Sequence, residues 1–274
     1  MKPHFIFMAI KEHPWGREML SQLIGAGFKP ALIIEEDSEV GETERKKFEF
    51  RIGNNEIGKM ISIQAKENNI PLETVPIHND EHCMKHIERV SPRMIVFGGT
   101  RIIRGEILEY GEKRDGVLNS HPGLLPECRG SASPAWSIYH DIPIGSSCHF
   151  CSSEIDAGDL VGKRKIDIKR GETYQDACYK TLITAATLMK EAIESYSKGE
   201  MDRKRKPQGE SPNPVFRYDS DIEKEAIQKM KEERYTHYIE NEDGAAAIGE
   251  ILMIIMTIIT VSYTHLTLPT ILLV

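Results

Sequence analysis

Positive charge is not in surplus in this 274-residue chain: the formal net charge is −7. A large nucleic-acid footprint wants a basic surface, so that class is disfavoured and nucleic acid is not an expected partner. Two local basic runs remain, Lys163-Arg164-Lys165 and Arg203-Lys204-Arg205-Lys206. No Gly-x-Gly-x-x-Gly follows the first apolar run, Phe5–Ile10, which argues against a dinucleotide site. The five cysteines are scattered and odd in number. The N-terminal apolar run is short and broken by charge, unlike a signal peptide. Together these give the expectation of a reducing, cytoplasmic setting with free thiols. Cys148-x-x-Cys151 invites a metal reading, but an offset of three on a strand sends the two thiols to opposite faces. With no second Cys pair, no metal is expected. The apolar stretch Ala245–Thr260 spans 16 residues and is interrupted by Gly249-Glu250. It falls short of the ~20 residues a membrane span needs, so no membrane contact is expected. No internal repeat is found.

Apolar residues (40%) and charged residues (28%) stand in ordinary globular proportion. Phe5–Ile10 reads as a buried strand, Trp15–Gly25 as a helix with Met19, Leu20, Leu23 and Ile24 on one face, and Pro30–Ile34 as a second strand. Helices are expected around Thr43–Ile52, Glu56–Asn68, Glu81–Val90, Ile103–Tyr110 and Thr173–Tyr196. Further strands are expected at Leu72–Ile77 and Met94–Phe97. This alternation predicts an α/β fold, a mainly parallel sheet with helices on both faces.

The chemistry concentrates between Gly116 and Asp159. Val117-Leu118 reads as the end of a buried strand, with Asn119 and His121 directly after it. Residues i and i+2 of an extended chain share a face, so an amide and an imidazole project together. Pro122-Gly123 then breaks the strand. Ser147–Cys151 reads as another strand, leading into a turn that carries Asp156 and Asp159. An amide donor, an imidazole and a carboxylate are the parts needed for acyl transfer to an amine: donors for a developing oxyanion, and a carboxylate to orient the imidazole and move protons. Taken singly, His121 reads as a partly buried structural histidine, and Asn119 and Asp156 as turn residues.

Asn119-Ser120-His121-Pro122-Gly123-Leu124-Leu125-Pro126, followed by Asp156-Ala157-Gly158, resembles the folate-dependent formyltransferases. That family includes glycinamide ribonucleotide, methionyl-tRNA and sugar-amine formyltransferases. The resemblance is best from about Met94 to Ile193, and the more distinct family signature near the first strand is absent. It implies a Rossmann-like formyltransferase fold, 10-formyltetrahydrofolate as formyl donor, and Asn119, His121 and Asp156 as catalytic residues. Asp156 is preferred to Asp159 because Asp-x-Gly aligns there. The resemblance also implies a folate site at Phe97, Gly98, Gly99, Arg101, Ile102 and Ile103, with His149 on the strand leading to the aspartate. Arg129 reads either as an acceptor contact or as a surface salt bridge. The acceptor is expected to be a small-molecule amine, such as an amino sugar or a biosynthetic intermediate. A methionyl-tRNA acceptor, a hydrolase releasing formate, and a non-catalytic folate-binding module are the alternatives.

The expected organisation is a catalytic domain at 1–197, a linker at 198–220, a helical extension at 221–240, and a final segment at 241–274. Within that segment, Val261–Thr270 resembles the in-frame translation of a sequencing adapter. The natural C-terminus is therefore expected to be missing. Pro207–Ser211 resembles a segment that follows the catalytic domain in the family.

Overall fold

Phe5–Ile10 (β1) is apolar at every position and buried at every position. A strand with no polar alternation needs both faces covered, and here both are. The computed structural model describes residues 3–239. The expectations for 241–274, including the adapter-like tail and the apolar run at 245–260, lie outside the described residues. Among the described residues, no helix is long and apolar enough to cross a membrane.

The chain alternates as expected: β1, then α1 (Pro14–Gly25), β2 (Leu32–Glu36), α2 (Glu39–Ile52), α3 (Ile61–Asn68), β3 (Leu72–Val75), α4 (Glu81–Val90), β4 (Met94–Phe97), α5 (Glu106–Glu112) and β5 (Val117–His121). After β5 come α6 (Ser133–Tyr139), β6 (Gly145–Phe150), β7 (Leu160–Lys165), β8 (Ile168–Lys169), α7 (Tyr174–Ser197), α8 (Met201–Lys204), α9 (Ser220–Lys231) and β9 (Tyr238–Ile239). The main sheet has seven strands in the order β3-β2-β1-β4-β5-β6-β7. Its first five strands are parallel, whereas β6 and β7 are antiparallel additions. One face packs Phe5, Phe7, Leu118, Cys148 and Phe150 against α1 and α7; the other packs Ile6, Met8, Ile95 and Val117 against α4 and α5. A third cluster joins α6, α9 and the start of α7.

Helix starts follow local chemistry. Asp80 caps α4 by accepting from the Cys83 N–H, and Thr173 with Asp176 forms a capping box on α7. β2 and α3 begin later than expected. β2 starts at Leu32, after Pro30, which has no N–H to give the ladder, and runs on through Glu35 and Glu36. These two carboxylates are buried and bonded. Glu35 accepts from the Glu12 N–H, and Glu36 from the His78 N–H and the Ser38 hydroxyl. α3 begins at Ile61, not Glu56, because Gly58 lies against α1, its N–H bonded to Glu18 and its carbonyl to Arg17.

β7 and α6 were not anticipated. β7 carries Lys163-Arg164-Lys165, which read as a basic patch. It is the exposed edge strand of the sheet, and charge on an edge is the usual guard against further pairing. Two of its cations are matched, Lys163 to Glu127 and Arg164 to Glu191. Residues 198–220, expected as a linker, lie along the sheet domain as a strap. Leu160 and Lys206 exchange backbone hydrogen bonds of 2.8 and 2.9 Å, and the Phe216 N–H donates to the Arg129 carbonyl. The Cys148 and Cys151 side chains pack on opposite sides of the sheet, as the strand period requires, and both thiols are free.

His13 gives the fold an acid sensitivity. It is 1% exposed, its Nδ1 accepts from the Trp15 N–H at the start of α1, and its ring lies 4.5 Å from that of Phe48. Burial, aided by the Arg51 and Arg45 charges, pushes its pKa down to about 3 from 6.5. The unfolded chain therefore binds a proton that the folded chain refuses. The stability contributed is complete above about pH 6.5 and is lost as pH falls toward 3. His13→Asn keeps a capping acceptor but does not titrate. Its melting temperature is expected to fall less than that of the wild type between those two pH values. Parallel melting curves across the window would refute this origin.

Candidate active site

The site is set by the two-residue period of β5 and β6. Leu118, Cys148 and Phe150 point into the α7-side core. Asn119, His121 and His149 must therefore point to the opposite face. The antiparallel register sets Asn119 directly across from His149 and His121 across from Ser147. A cavity of about 1010 Å³ opens on this face, and Asn119, His121, His149 and Asp156 all line it.

Four polar side chains meet there. The Asn119 Nδ2 is 3.2 Å from the His149 Nε2. The His149 Nδ1 donates to the Phe150 carbonyl at 2.8 Å, which leaves Nε2 to accept from the Asn119 amide. The His121 Nε2 donates to the Cys128 carbonyl at 2.7 Å and is shared with the Ser133 hydroxyl at 3.0 Å, which itself donates to the Gly130 carbonyl. This turns the His121 Nδ1 toward Asp156, whose Oδ2 lies 3.4 Å away; the Asp156 Oδ1 lies 3.5 Å from the His149 Nε2. Asp156 also accepts from the Gly130 N–H at 2.9 Å. It sits at φ 51°, a left-handed position that aspartate tolerates better than most residues.

Burial lowers the His121 pKa, and the Asp156 charge opposes that shift. Burial alone would raise the Asp156 carboxyl, but the His121 and His149 imidazoles and the Gly130 N–H together hold it well below the ordinary range. The resting pair is thus a carboxylate beside an imidazole that accepts a proton at Nδ1 only with that carboxylate's help. Such a pair can take a proton from an attacking amine, while the Asn119 amide donates to an oxygen gaining charge.

The cavity's other wall is apolar at Phe97, Ile102, Ile103 and Leu108, with Arg101 beside them. The loop from Cys151 to Ile155, just before Asp156, closes over the same space. An apolar wall with a few convergent polar groups suits a flat heteroaromatic ligand with polar edges, such as a pterin. The Arg101 guanidinium is held by buried Glu36 at 3.0 Å.

Gly98 and Gly99, expected among the folate contacts, do not line the cavity. They are small for packing reasons: a Cβ on Gly98 would sit 1.9 Å from the Phe7 ring, and one on Gly99 would sit 2.5 Å from the His13 Nδ1. Asp159 is also outside the cavity and pairs with Arg205 at 2.6 Å. Arg129 does line it. Among the described residues Arg129 makes no ion pair; its Nη2 donates to the Gln208 carbonyl oxygen at 3.3 Å, and its Nε is buried without an acceptor. The surface salt bridge weighed from the sequence is thus not made.

The sequence reading missed Thr100, Arg104, Val215, Phe216 and Arg217, which also line the cavity. The last three belong to the strap and carry no local signal of a site. Among the described residues, no group of three His, Cys, Asp or Glu side chains is placed to hold a metal ion.

Comparison with known proteins agrees with this architecture. The formyl transferase family model matches residues 51–193, just over half of the chain. A methionyl-tRNA formyltransferase from Clostridium acetobutylicum is 30% identical over 151 residues, covering 53% of this chain and 47% of that protein. The chain spans about half the length of the curated relatives it matches. A glycinamide ribonucleotide transformylase from Symbiobacterium toebii superposes with a TM-score of 0.56 at 17% identity, covering 72% of this chain and 89% of that one. A sugar N-formyltransferase from a Shewanella species superposes with a TM-score of 0.52 at 17% identity, covering 80% and 78%. At such identities these two likenesses concern the fold alone. The sheet order, the Asn-x-His and Asp-x-Gly segments meeting on one face, and the match across residues 51–193 converge on one statement: the chain belongs to the formyl transferase family.

Proposed function

We propose that the protein transfers a formyl group from 10-formyltetrahydrofolate to a primary amine of a small acceptor. The observation that carries this reading is the convergence of Asn119, His121 and Asp156 at one wall of the cavity, with separations of 3.4 Å or less between neighbouring groups along the His121–Asp156–Gly130 chain. The donor supplies an activated one-carbon unit at the formate oxidation level. Phe97, Ile102, Ile103 and the 151–155 loop would flank its ring system, with Arg101 at its edge. Asn119 donates to the formyl oxygen as that oxygen gains charge. A single donor of this kind is worth ~3–4 kcal/mol in the barrier. His121 takes the proton of the attacking amine at Nδ1, Asp156 stabilises the imidazolium so formed, and that proton passes to N10 of the departing tetrahydrofolate as its bond to the formyl carbon breaks. His149 holds the Asn119 amide in its donating orientation. Arg129 and Arg217 line the same cavity and would meet the acceptor.

A small acceptor is favoured by charge. The chain is net −7, and three of the seven cations in the 163–165 and 203–206 runs are already matched by Glu127, Glu191 and Asp159. A methionyl-tRNA acceptor is the second reading, favoured by the 30% identity to a methionyl-tRNA formyltransferase. The organisation proposed with it is a catalytic unit at 1–197, followed by a strap and a helical extension.

The test is incubation of the purified protein with 10-formyltetrahydrofolate, with and without a panel of amino sugars, glycinamide ribonucleotide and methionyl-tRNA. Formylated small amine is the expected product. Formate release independent of any amine would replace the transferase with a hydrolase. Turnover confined to methionyl-tRNA would move the acceptor to the second reading, and tight folate binding without turnover would leave a binding module.

A further inference from the structure

The strap grips two separate parts of the site. At its start, Arg205 pairs with Asp159, and Lys206 bonds the backbone of Leu160, just past the Asp156 turn. At its end, the Phe216 N–H donates to the Arg129 carbonyl and the Phe216 carbonyl accepts from the Ser131 N–H. A Cβ on Gly130 would lie 2.0 Å from the Phe216 carbonyl oxygen, so the contact needs glycine at that position. One side chain between these anchors reaches both parts. The Gln208 Nε2 donates to the Asp156 carbonyl at 3.0 Å and to the Gly158 carbonyl at 2.5 Å. Its Oε1 accepts from the Arg129 Nη2 at 3.3 Å.

We propose that Gln208 is a positioning residue for the transfer reaction, one amide that fixes the Asp156 turn with its N–H end and the Arg129 guanidinium with its oxygen end. This rests on the formyl-transfer reading above. The turn has little other freedom: Asp156 is left-handed, and a Cβ on Gly158 would lie 1.9 Å from the Phe150 carbonyl oxygen. Its two outward carbonyls both end on the same Gln208 nitrogen. Losing that donor frees them to seek water and lets the carboxylate drift from the His121 Nδ1. Since catalysis depends on placement within a fraction of an ångström, such drift costs rate before it costs binding. The other end of the amide works on the acceptor side. Among the described residues Arg129 has no carboxylate partner, so Gln208 orients its guanidinium while leaving the charge unspent. An amide can serve both ends, whereas a carboxylate has no donor for the two carbonyls and an ammonium has no acceptor for the arginine.

The two ends can be separated by substitution. Gln208→Glu keeps an oxygen toward Arg129 and removes both donors. It is expected to lower kcat at least tenfold and to raise the acceptor KM more than the alanine variant does, because its carboxylate pairs with Arg129 and neutralises the charge offered to the acceptor. Gln208→Ala removes both ends and is expected to lower kcat similarly and to raise the acceptor KM several-fold as well. Melting temperatures of all variants are recorded alongside. Equal losses in the two variants that follow melting temperature would reduce Gln208 to a structural contact and overturn the proposal, as would wild-type kinetics in both. A second measurement needs no substrate: the ring ¹⁵N resonances of His121, which report what faces Nδ1, are expected to shift in both variants. Unshifted resonances overturn the positioning role even if transferase activity is established. Shifted resonances in a protein that formylates no amine uphold the positioning role while the formyl-transfer reading fails.

Discussion

Asn119→Ala is expected to lower kcat about 10²–10³-fold with the folate KM little changed, because it deletes a donor used mainly as charge develops on the formyl oxygen. His121→Ala should lose at least as much. Asp156→Asn should also be severe. The amide keeps the shape of the group that accepts from the Gly130 N–H, but removes the charge facing the His121 Nδ1 at 3.4 Å. Without that charge, only the hydrogen bond to the Cys128 carbonyl opposes the effect of burial on His121, and the proton taken from the amine is held less well. The losses should not add, since the residues act as a unit. A double Asn119→Ala/Asp156→Asn variant should be little worse than the poorer single variant. Asp159→Asn is the control. Its partner is Arg205, it lies outside the cavity, and its kcat should stay close to wild type. Near-normal kcat in Asp156→Asn, together with a loss in Asp159→Asn, would move the catalytic carboxylate and break the assignment.

Glu223→Ala is expected to cause the largest loss of stability. Glu223, on α9, accepts from the Arg51 Nε at 2.6 Å, from the Tyr174 hydroxyl at 2.9 Å and from the Tyr218 hydroxyl at 3.3 Å. The ion pair is nearly sealed, with side chains 6% and 9% exposed. It ties α2, α7 and α9 together at one point. Removing one partner of a buried pair strands the other charge, at a cost of about 3–5 kcal/mol. For a domain of this size that corresponds to a fall in Tm on the order of 10 °C. Arg51 is poorly placed to compensate, because its Nη2 already lacks an acceptor among the described residues. Gln is expected to lose less than Ala at 223, since it keeps an acceptor for the hydroxyls. Replacing both Arg51 and Glu223 with methionine should recover much of the loss, because no charge is then left unpaired. Thermal denaturation of the three variants checks the series. An unchanged Tm in Glu223→Ala would mean that α9 is held by its apolar contacts with α6 and α7 alone.

The sequence by itself determined the features whose physics is local. An all-apolar run is a strand buried on two faces, which identified β1 and β4. A polar residue before an amphipathic run is a cap, and α4 and α7 begin where that signal stands. The two-residue strand period put Asn119 and His121 on one face, and the offset of three sent Cys148 and Cys151 to opposite faces. The resemblance to the formyltransferases aligns Asp-x-Gly on Asp156, and Asp156 lines the cavity whereas Asp159 does not.

Tertiary structure decided everything that depends on register and on distant packing. His149 supports the Asn119 amide only because β6 pairs antiparallel to β5 in a register that sets the two residues opposite each other. No periodicity within either strand specifies that alignment, since it is fixed by how both strands bury Leu118, Cys148 and Phe150 under α7. Gly98 and Gly99 looked like ligand contacts, yet their size answers to Phe7 and His13, residues remote in sequence. The polar, proline-containing stretch at 198–220 has the composition of a linker, but its backbone hydrogen bonds are made to Leu160 and Arg129. Gln208 belongs to the candidate site for the same reason. A side chain's local sequence states which hydrogen bonds it can make, and only the folded chain states which partners come within 3 Å of it.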